Sequence, residues 1–308
     1  MTKLHVVGVA AAAVTIAHPV LAQTVDGASF DAEYGPALWA QTIGTSFGNN
    51  TVGDRDVAGG SEMDAVYAII NHGLLYIGIA GNLETNFNKL DLFFDVAPGG
   101  QNRLRGDNPD VDFNGLNRMG DDGSGNGLTF DAGFEADYYL MYTNGNIGGP
   151  IGHFVNAAQI LTTGGGVGAF VGGGDKAFHN PISGAGPNGH TILVNNDNSN
   201  TLGVNTLGNP FDSDPATVTT GVEICIPLAE LGWDGVSDVR LVAFVNGGGH
   251  DFASNQWAGG LPDGFSHLGD PRFINLAFID GDQWVIIPAP SAAALLALGA
   301  LAGARRRR

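Results

Sequence analysis

The sequence has little that could cross-link the chain or attract a polyanion. Cys225 is the only cysteine in 308 residues, so no disulfide can form within the chain. Basic residues number 13 against 31 acidic ones, and the formal net charge is −18. Such a surface repels phosphate backbones, which argues against nucleic-acid binding, and it favours solubility and the binding of cations. Stability is therefore expected to come from the apolar core, with a metal ion as a further contributor.

Long apolar runs and long helical patterns are also lacking. No uninterrupted apolar stretch reaches the roughly 20 residues that a membrane-spanning helix needs. Glycine is abundant, with 49 residues, and Asn-Gly pairs that favour tight turns recur at 114–115, 126–127, 144–145, 188–189 and 246–247. Short runs with β character lie between these turns. We therefore expect an all-β fold, an antiparallel jelly-roll-like β-sandwich with long loops rich in Gly, Asn and Asp.

Individual strands can be predicted from alternation and from turn residues. The segments 66–71 and 74–80 flank His72-Gly73 and predict a hairpin with a two-residue turn. Further strands are expected at 89–96, 136–143, 152–161, 191–195, 217–226, 239–246 and 273–279. One helical turn is expected at 228–231, and the glycine-rich segment 164–189 is expected to be a long loop. No linker divides the body, so residues 23–287 are predicted to form a single sandwich domain.

The first 22 residues have the pattern of a secretory signal peptide. Lys3 precedes an apolar stretch at 6–16, and the small-residue sequence Val20-Leu21-Ala22 follows it. This order of charge, apolar run and small residues predicts cleavage after Ala22, so that the exported chain would begin at Gln23.

The opposite end, 288–308, combines three features. Pro288-Ala289-Pro290 precedes an apolar run at 291–304, and four arginines end the chain: Arg305, Arg306, Arg307 and Arg308. Consecutive arginines hold such an end on the cytoplasmic side of a membrane. This arrangement resembles the PEP-CTERM sorting signal of exported bacterial proteins, with Ala289 in place of the family's central glutamate. The resemblance implies transient insertion of an apolar helix into the inner membrane, cleavage by a sorting protease of the exosortase type, and delivery to the envelope or the extracellular space.

The body between the two signals is more acidic than the whole chain. Five of the 13 basic residues lie in the signals and all 31 acidic residues lie between them, which leaves the body with a formal charge of −23.

Two parts of the body carry a second resemblance. The segment 222–232 reads VEICIPLAELG, and Asp26-Gly27, Asp31 and Tyr34 lie near the start of the body. These pieces resemble the strand-to-short-helix step and the opening motif of family 9 carbohydrate-binding modules and their DOMON-like relatives. The resemblance implies a β-sandwich and, as one possible function, carbohydrate binding.

One acidic loop has the spacing of a calcium site. Asp110, Asp112 and Asn114 alternate, Gly115 allows a sharp turn, and Asp121 stands at the twelfth position. Oxygen donors at these spacings suit a hard cation and predict calcium bound by Asp110, Asp112, Asn114 and Asp121. The alternative is a solvated acidic turn, because Asp, Asn and Gly are the residues that turns prefer.

Catalytic motifs are missing from the sequence, which has no H-E-x-x-H, no G-x-S-x-G and no P-loop. Paired carboxylates such as Asp91 and Asp95 could serve glycoside hydrolysis, but chance pairing is expected among 31 acids. No catalytic residue is predicted, and Cys225 is expected to be an inert core thiol. Trp257 and Tyr34 are candidates for a sugar-stacking platform, with a place in the core as the alternative for Trp257.

These observations predict an exported, non-enzymatic protein of the cell envelope or extracellular matrix, stabilised by calcium. The alternative is a carbohydrate-binding module that recognises exopolysaccharide, and a secreted glycan-active enzyme is a weaker alternative.

Overall fold

A computed structural model describes residues 23–45, 60–175, 181–196 and 215–290. Within these ranges the protein is built from short strands and three helices of four or five residues. The strands are β1 (Trp39–Ala40), β2 (Glu62–Asn71), β3 (Leu74–Asn82), β4 (Asn86–Asp95), β5 (Tyr138–Asn146), β6 (Ile151–Gln159), β7 (Gly168–Asp175), β8 (Ile182–Ala185), β9 (Thr191–Asn196), β10 (Gly221–Pro227), β11 (Val239–Asn246), β12 (Ala253–Trp257) and β13 (Val285–Ile287). The helices are α1 (Phe30–Tyr34), α2 (Gly115–Arg118) and α3 (Leu228–Leu231).

The strands form two antiparallel sheets that pack face to face. Sheet A has the order β1-β2-β3-β10-β9-β8. Sheet B has the order β12-β11-β4-β5-β6-β7, and β13 also pairs with β11. The predicted all-β sandwich is therefore confirmed.

The predicted hairpin at His72-Gly73 is confirmed by the backbone. Asn71 pairs with Leu74, and the two turn residues have positive φ angles of 51° and 80°. Positive φ at both positions is typical of the type I′ turn, whose twist matches that of the two strands it joins. The strand at 239–246 and the helical turn at 228–231 also lie where the sequence predicts them.

The main core lies between the sheets because side chains alternate along each strand. On β4, Leu90, Leu92 and Phe94 face inward and are at most 2% exposed, and they belong to one cluster with Ile77 of β3 and Ile224 of β10. Each fully buried aliphatic or aromatic side chain contributes about 1.5–3 kcal/mol of transfer free energy. This cluster explains how a chain with a single cysteine holds two sheets together.

The outer face of sheet B is partly covered by loops. Phe93, Phe244 and Trp257 point outward from the strands and pack with Phe130 and Phe134 of the connection between β4 and β5 in a second buried cluster. The other half of this face, on β4 to β7, is left open and forms a groove. On sheet A, a smaller cluster seats Phe30 of α1 against Tyr67.

Three predictions about secondary structure are wrong. Asn144-Gly145, expected to form a turn, lies within β5 and pairs with His153 and Gly152 of β6. The segment 273–279 is two three-residue 3-10 turns, Pro271–Phe273 and Leu276–Phe278, each capped by the side chain of the preceding Asp270 or Asn275. The segment 164–189 is not a loop throughout, because it contains β7 and β8. Six of the eight residues of β7 are glycine, alanine or aspartate, so the strand has no apolar alternation and its pairing with β6 leaves no pattern in the sequence.

The predicted signal peptide at 1–22 and the apolar run and arginines at 291–308 lie outside the described residues. Among the residues that are described, no helix has the length and apolar character needed to cross a membrane.

Candidate ligand groove

A groove of about 520 Å³ opens on the uncovered half of the outer face of sheet B. Its floor and walls come from four adjacent strands and from the loop before α2. The lining residues are Phe87, Lys89, Asp112, Phe113, Thr143, Phe154, Asn156 and Phe170.

Strand register brings the polar side chains of the floor together. Lys89 of β4 pairs with Thr143 of β5, which pairs with Phe154 of β6. Asn156 of β6 pairs with Phe170 of β7. Because Leu90 faces the main core, its neighbour Lys89 must face outward into the groove.

Exposed aromatic rings flank the groove. Phe113 is 98% exposed and Phe170 is 64% exposed, although their side chains are large and apolar. Leaving large apolar rings in water is unfavourable, and exposed apolar patches beside a cavity mark interaction sites.

The backbone that presents Phe113 is strained. Asp112, Phe113 and Asn114 have φ angles of 50°, 56° and 66°, a run of three residues in the left-handed region. Each such non-glycine residue costs about 1–2 kcal/mol. The turn is held by the Asn114 backbone N–H, which donates to Oδ1 of Asp110 at 2.7 Å, and by the ion pairs of Asp112. Strain of this kind concentrates at functional sites because surrounding contacts must maintain it.

A chain of four charged side chains lies at and beneath the floor. Nζ of Lys89 is 2.8 Å from Oδ2 of Asp112. The same oxygen is 2.7 Å from Nε2 of His250, whose Nδ1 is 3.2 Å from Oδ2 of Asp91. Positive and negative groups alternate along this chain, which we call the charged floor.

Asp91 is the innermost of the four residues of the charged floor. It is fully buried and accepts hydrogen bonds from the hydroxyl of Tyr139 at 2.6 Å and from Nδ2 of Asn246 at 2.9 Å, besides its contact with His250. A buried carboxylate with three donors satisfies the requirement that an interior charge be both paired and hydrogen-bonded.

These contacts shift the pKa values of the charged floor. Burial alone would lower the pKa of His250, but the charge of Asp91 and the hydrogen bonds that the imidazolium donates to both aspartates raise it to about 9. Burial acts to raise the pKa of Asp112, but the hydrogen bonds from His250 and Lys89 outweigh it and hold that pKa below its ordinary value. His250 is therefore an imidazolium at neutral pH and Asp112 a carboxylate.

Gly115 makes room for His250. A Cβ atom at this position would lie 2.4 Å from Nε2 of the imidazole. A glycine is required here because the helix start at 115 passes directly over the buried ring.

The carboxylate groups of the three predicted calcium ligands Asp110, Asp112 and Asp121 are not gathered around one point. Oδ2 of Asp112 is held by Lys89 and His250, and Oδ1 of Asp121 accepts the backbone N–H groups of Gly123 and Gly125. In the described part of the chain, no three His, Cys, Asp or Glu side chains are arranged to hold a metal ion. Calcium binding by Asp110, Asp112, Asn114 and Asp121 stays a prediction, and Oδ2 of Asp112 already has two ion-pair partners in the free protein.

The two aromatic residues predicted to stack on sugars are in the interior. Trp257 is fully buried, stacks on Phe244 with ring centroids 4.0 Å apart, and donates from Nε1 to the backbone oxygen of Ser254. Tyr34 is 8% exposed, and its hydroxyl donates to Oε1 of Glu223. The expectation of a platform at these positions is corrected, because neither ring face is open to a ligand.

The remaining sequence candidates are also separated. Asp95 lies at the far end of β4 from the groove and pairs with Arg240 at 2.9 Å, whereas Asp91 belongs to the charged floor. Cys225 is buried, and this burial raises the pKa of its thiol to about 11, which keeps it protonated.

Sequence reasoning missed His250, Lys89 and the four phenylalanines of the groove. The one available signal was Lys89 and Asp91 on the same face of an otherwise apolar strand, where unpaired charges are rarely placed.

Compared with protein-family models, with curated proteins and with solved structures, the chain has no match.

Proposed function

We propose that this is an exported, non-enzymatic protein of the cell envelope or extracellular matrix that binds carbohydrate in the groove of sheet B. Phe113 carries the proposal. An almost fully exposed ring on a strained backbone at the edge of a groove stabilises nothing in the free protein. Such a ring gains free energy when the apolar face of a sugar covers it.

The chemistry of the floor favours binding over catalysis. Both ring nitrogens of His250 are engaged by carboxylates, and its pKa of about 9 keeps it protonated at neutral pH. It cannot serve as a general base in that state, because a base needs a pKa near the working pH and a free nitrogen. Asp112 is held in turn by two cations.

A glycan array with the purified protein tests the proposal. We expect binding to exopolysaccharide fragments, with affinity reduced about tenfold or more in Phe113→Ala and Phe170→Ala, since each ring supplies stacking area. Phe278→Ala is the matched control, because Phe278 is 87% exposed but lies in a 3-10 turn that contributes no residue to the groove. Absence of binding to every polysaccharide tested contradicts carbohydrate binding.

Export is tested separately by mass spectrometry of the protein recovered from its own cells. Processing at both signals predicts a chain that begins at Gln23 and ends before Ser291. Recovery of a chain that still carries Arg308 contradicts sorting.

A further inference from the structure

We infer that the groove takes an uncharged glycan and holds two neighbouring hydroxyl groups of one sugar ring with Lys89 and Asp112. This inference rests on the proposed carbohydrate binding, and it names the class of glycan and the residues that select it.

Charge balance is the first reason. Lys89 and Asp112 are the charged residues that line the groove, and their side chains are 2.8 Å apart and 7% exposed. Beneath them, the charge of His250 is balanced by Asp91. The charged floor as a whole is neutral when all four groups are ionised.

A neutral floor is a poor partner for an acidic sugar. The carboxylate of a uronic acid loses hydration on entering the groove and needs a cation that is not already paired. The ammonium group of Lys89 is held by Asp112. The strongly acidic body adds a repulsive field that lowers the local concentration of anionic polymers.

Hydrogen-bonding capacity is the second reason. A lysine ammonium group has three N–H donors, and the contact with Asp112 uses one of them. Oδ1 of Asp112 accepts no hydrogen bond from the described residues, since His250 and Lys89 both contact Oδ2. The pair therefore offers a donor and an acceptor side by side, which match one hydroxyl that accepts and a neighbouring hydroxyl that donates.

Asn156 and the rings complete the match. The Asn156 amide lies on the same groove and is free of side-chain hydrogen bonds to the described residues, so it offers both a donor and an acceptor. Phe113 and Phe170 supply apolar faces for the C–H side of the ring. A polar floor with apolar walls suits a molecule with hydroxyls on its edge and no formal charge.

Isothermal titration calorimetry on the full protein tests the inference. The probes are neutral hexasaccharides of glucose, mannose and galactose, together with hexasaccharides of galacturonate and mannuronate. We expect at least one neutral probe to bind about tenfold or more tighter than either acidic probe. The affinity of that neutral probe should change by less than about twofold between low and high salt, because no charge of the ligand is screened.

Two variants test whether Lys89 and Asp112 bind the hydroxyl groups of the sugar. Lys89→Met and Asp112→Asn should each weaken the neutral probe about 10- to 100-fold, as expected for the loss of a hydrogen bond to a charged group. Arg105→Gln is the matched control, because Arg105 forms an equivalent ion pair with Asp107 at 2.6 Å but is exposed and outside the groove. Circular dichroism establishes that each variant is folded, and the salt series on the unaltered protein stands even if one variant does not fold.

The outcomes are distinguishable. Tighter binding of acidic probes, or affinity for a neutral probe that falls steeply with salt, overturns the inference and leaves carbohydrate binding intact. Neutral binding that depends on Phe113 but is unchanged in both floor variants overturns the assignment of Lys89 and Asp112. Failure of all probes and of the glycan array overturns the proposed function together with the inference.

Discussion

Nε2 of His250 lies 2.7 Å from Oδ2 of Asp112, and the two residues are 138 positions apart in the sequence. This contact joins the turn after β11 to the strained turn before α2. It fixes the backbone that presents Phe113 and orients the carboxylate that Lys89 shares. The stability of the fold and the shape of the groove therefore depend on the same hydrogen bond.

Replacing His250 by glutamine should destabilise the protein strongly. The variant leaves Asp91 and Asp112 without the cation between them, and removing one partner of a buried ion pair costs about 3–5 kcal/mol. The measurement is urea unfolding at pH 7 of the variant and of His190→Gln, whose imidazole is exposed. Equal unfolding free energies for the two variants would show that the buried bridge adds no stability.

The contribution of His250 should disappear as the pH rises. The folded state raises its pKa from 6.5 to about 9, so between these values the folded protein binds a proton that the unfolded chain has lost. The stabilisation is complete below pH 6.5, on the order of 3 kcal/mol, and is lost as the pH rises through 9.

Thermal melting from pH 6 to pH 10 measures this effect as the difference between the unaltered protein and His250→Gln. Glu223 changes the stability over a lower pH range than His250 does. Burial raises its pKa from 4.5 to about 7, so its contribution to stability is lost as the pH rises between these two values. A difference between the two proteins that is constant from pH 6 to pH 10 is incompatible with a charged, bridged His250.

A methyl group at Gly115 should loosen the charged floor. The new Cβ would lie 2.4 Å from Nε2 of His250, and forcing an atom into a packed site costs about 1–3 kcal/mol. Gly174→Ala is the control, since a Cβ there meets its nearest neighbour at an ordinary 3.8 Å. The prediction is checked by the denaturation midpoints, and it fails if Gly115→Ala is as stable as the control.

Replacing Phe113 by glycine should raise stability while it removes ligand binding. The φ angle of 56° suits glycine, and a ring that is 98% exposed has almost no packing to lose, so a gain of about 1 kcal/mol is expected. Phe278→Gly has a conventional φ angle and should instead lose about 0.5–1 kcal/mol. A loss of stability in Phe113→Gly would mean that the turn is not strained.

The calcium prediction is tested by thermal melting in calcium and in chelator. The spacing of Asp110, Asp112, Asn114 and Asp121 predicts a higher melting midpoint in calcium, by about 2–4 °C for each kcal/mol of binding energy. Asp121→Asn should remove the difference, and Asp263→Asn, an exposed carboxylate elsewhere, should retain it. Equal midpoints in calcium and in chelator contradict the prediction.

Much of the sandwich could be predicted because its signals are local. Alternation identified β4, a run of residues with β character identified β11, and His72-Gly73 identified the turn between β2 and β3. β7 was not predicted because its glycines give no alternation, and its position in the sheet is decided by its pairing with β6. The segment 273–279 was misassigned because its apolar residues resemble a strand, whereas side-chain caps from Asp270 and Asn275 turn it into 3-10 turns.

The site was harder to predict. Sequence spacing drew attention to Asp112 as an oxygen ligand, but its partners are the cations Lys89 and His250. Trp257 has polar neighbours in the sequence, yet its ring stacks on Phe244 in the interior. Both errors have one cause, since the partners come from distant parts of the chain and no local pattern encodes them.

The sequence by itself determined the two-sheet architecture, the turn at His72-Gly73 and the acidic charge, because backbone conformation and strand alternation depend on neighbouring residues. Only the tertiary structure decided that Lys89, Asp91, Asp112 and His250 form one neutral chain beneath an open groove. Burial makes an unpaired charge costly, so these residues are stable only where the fold brings opposite charges within hydrogen-bonding distance. Whether the opposite charges meet depends on how strands and loops that are far apart in the chain are placed beside one another.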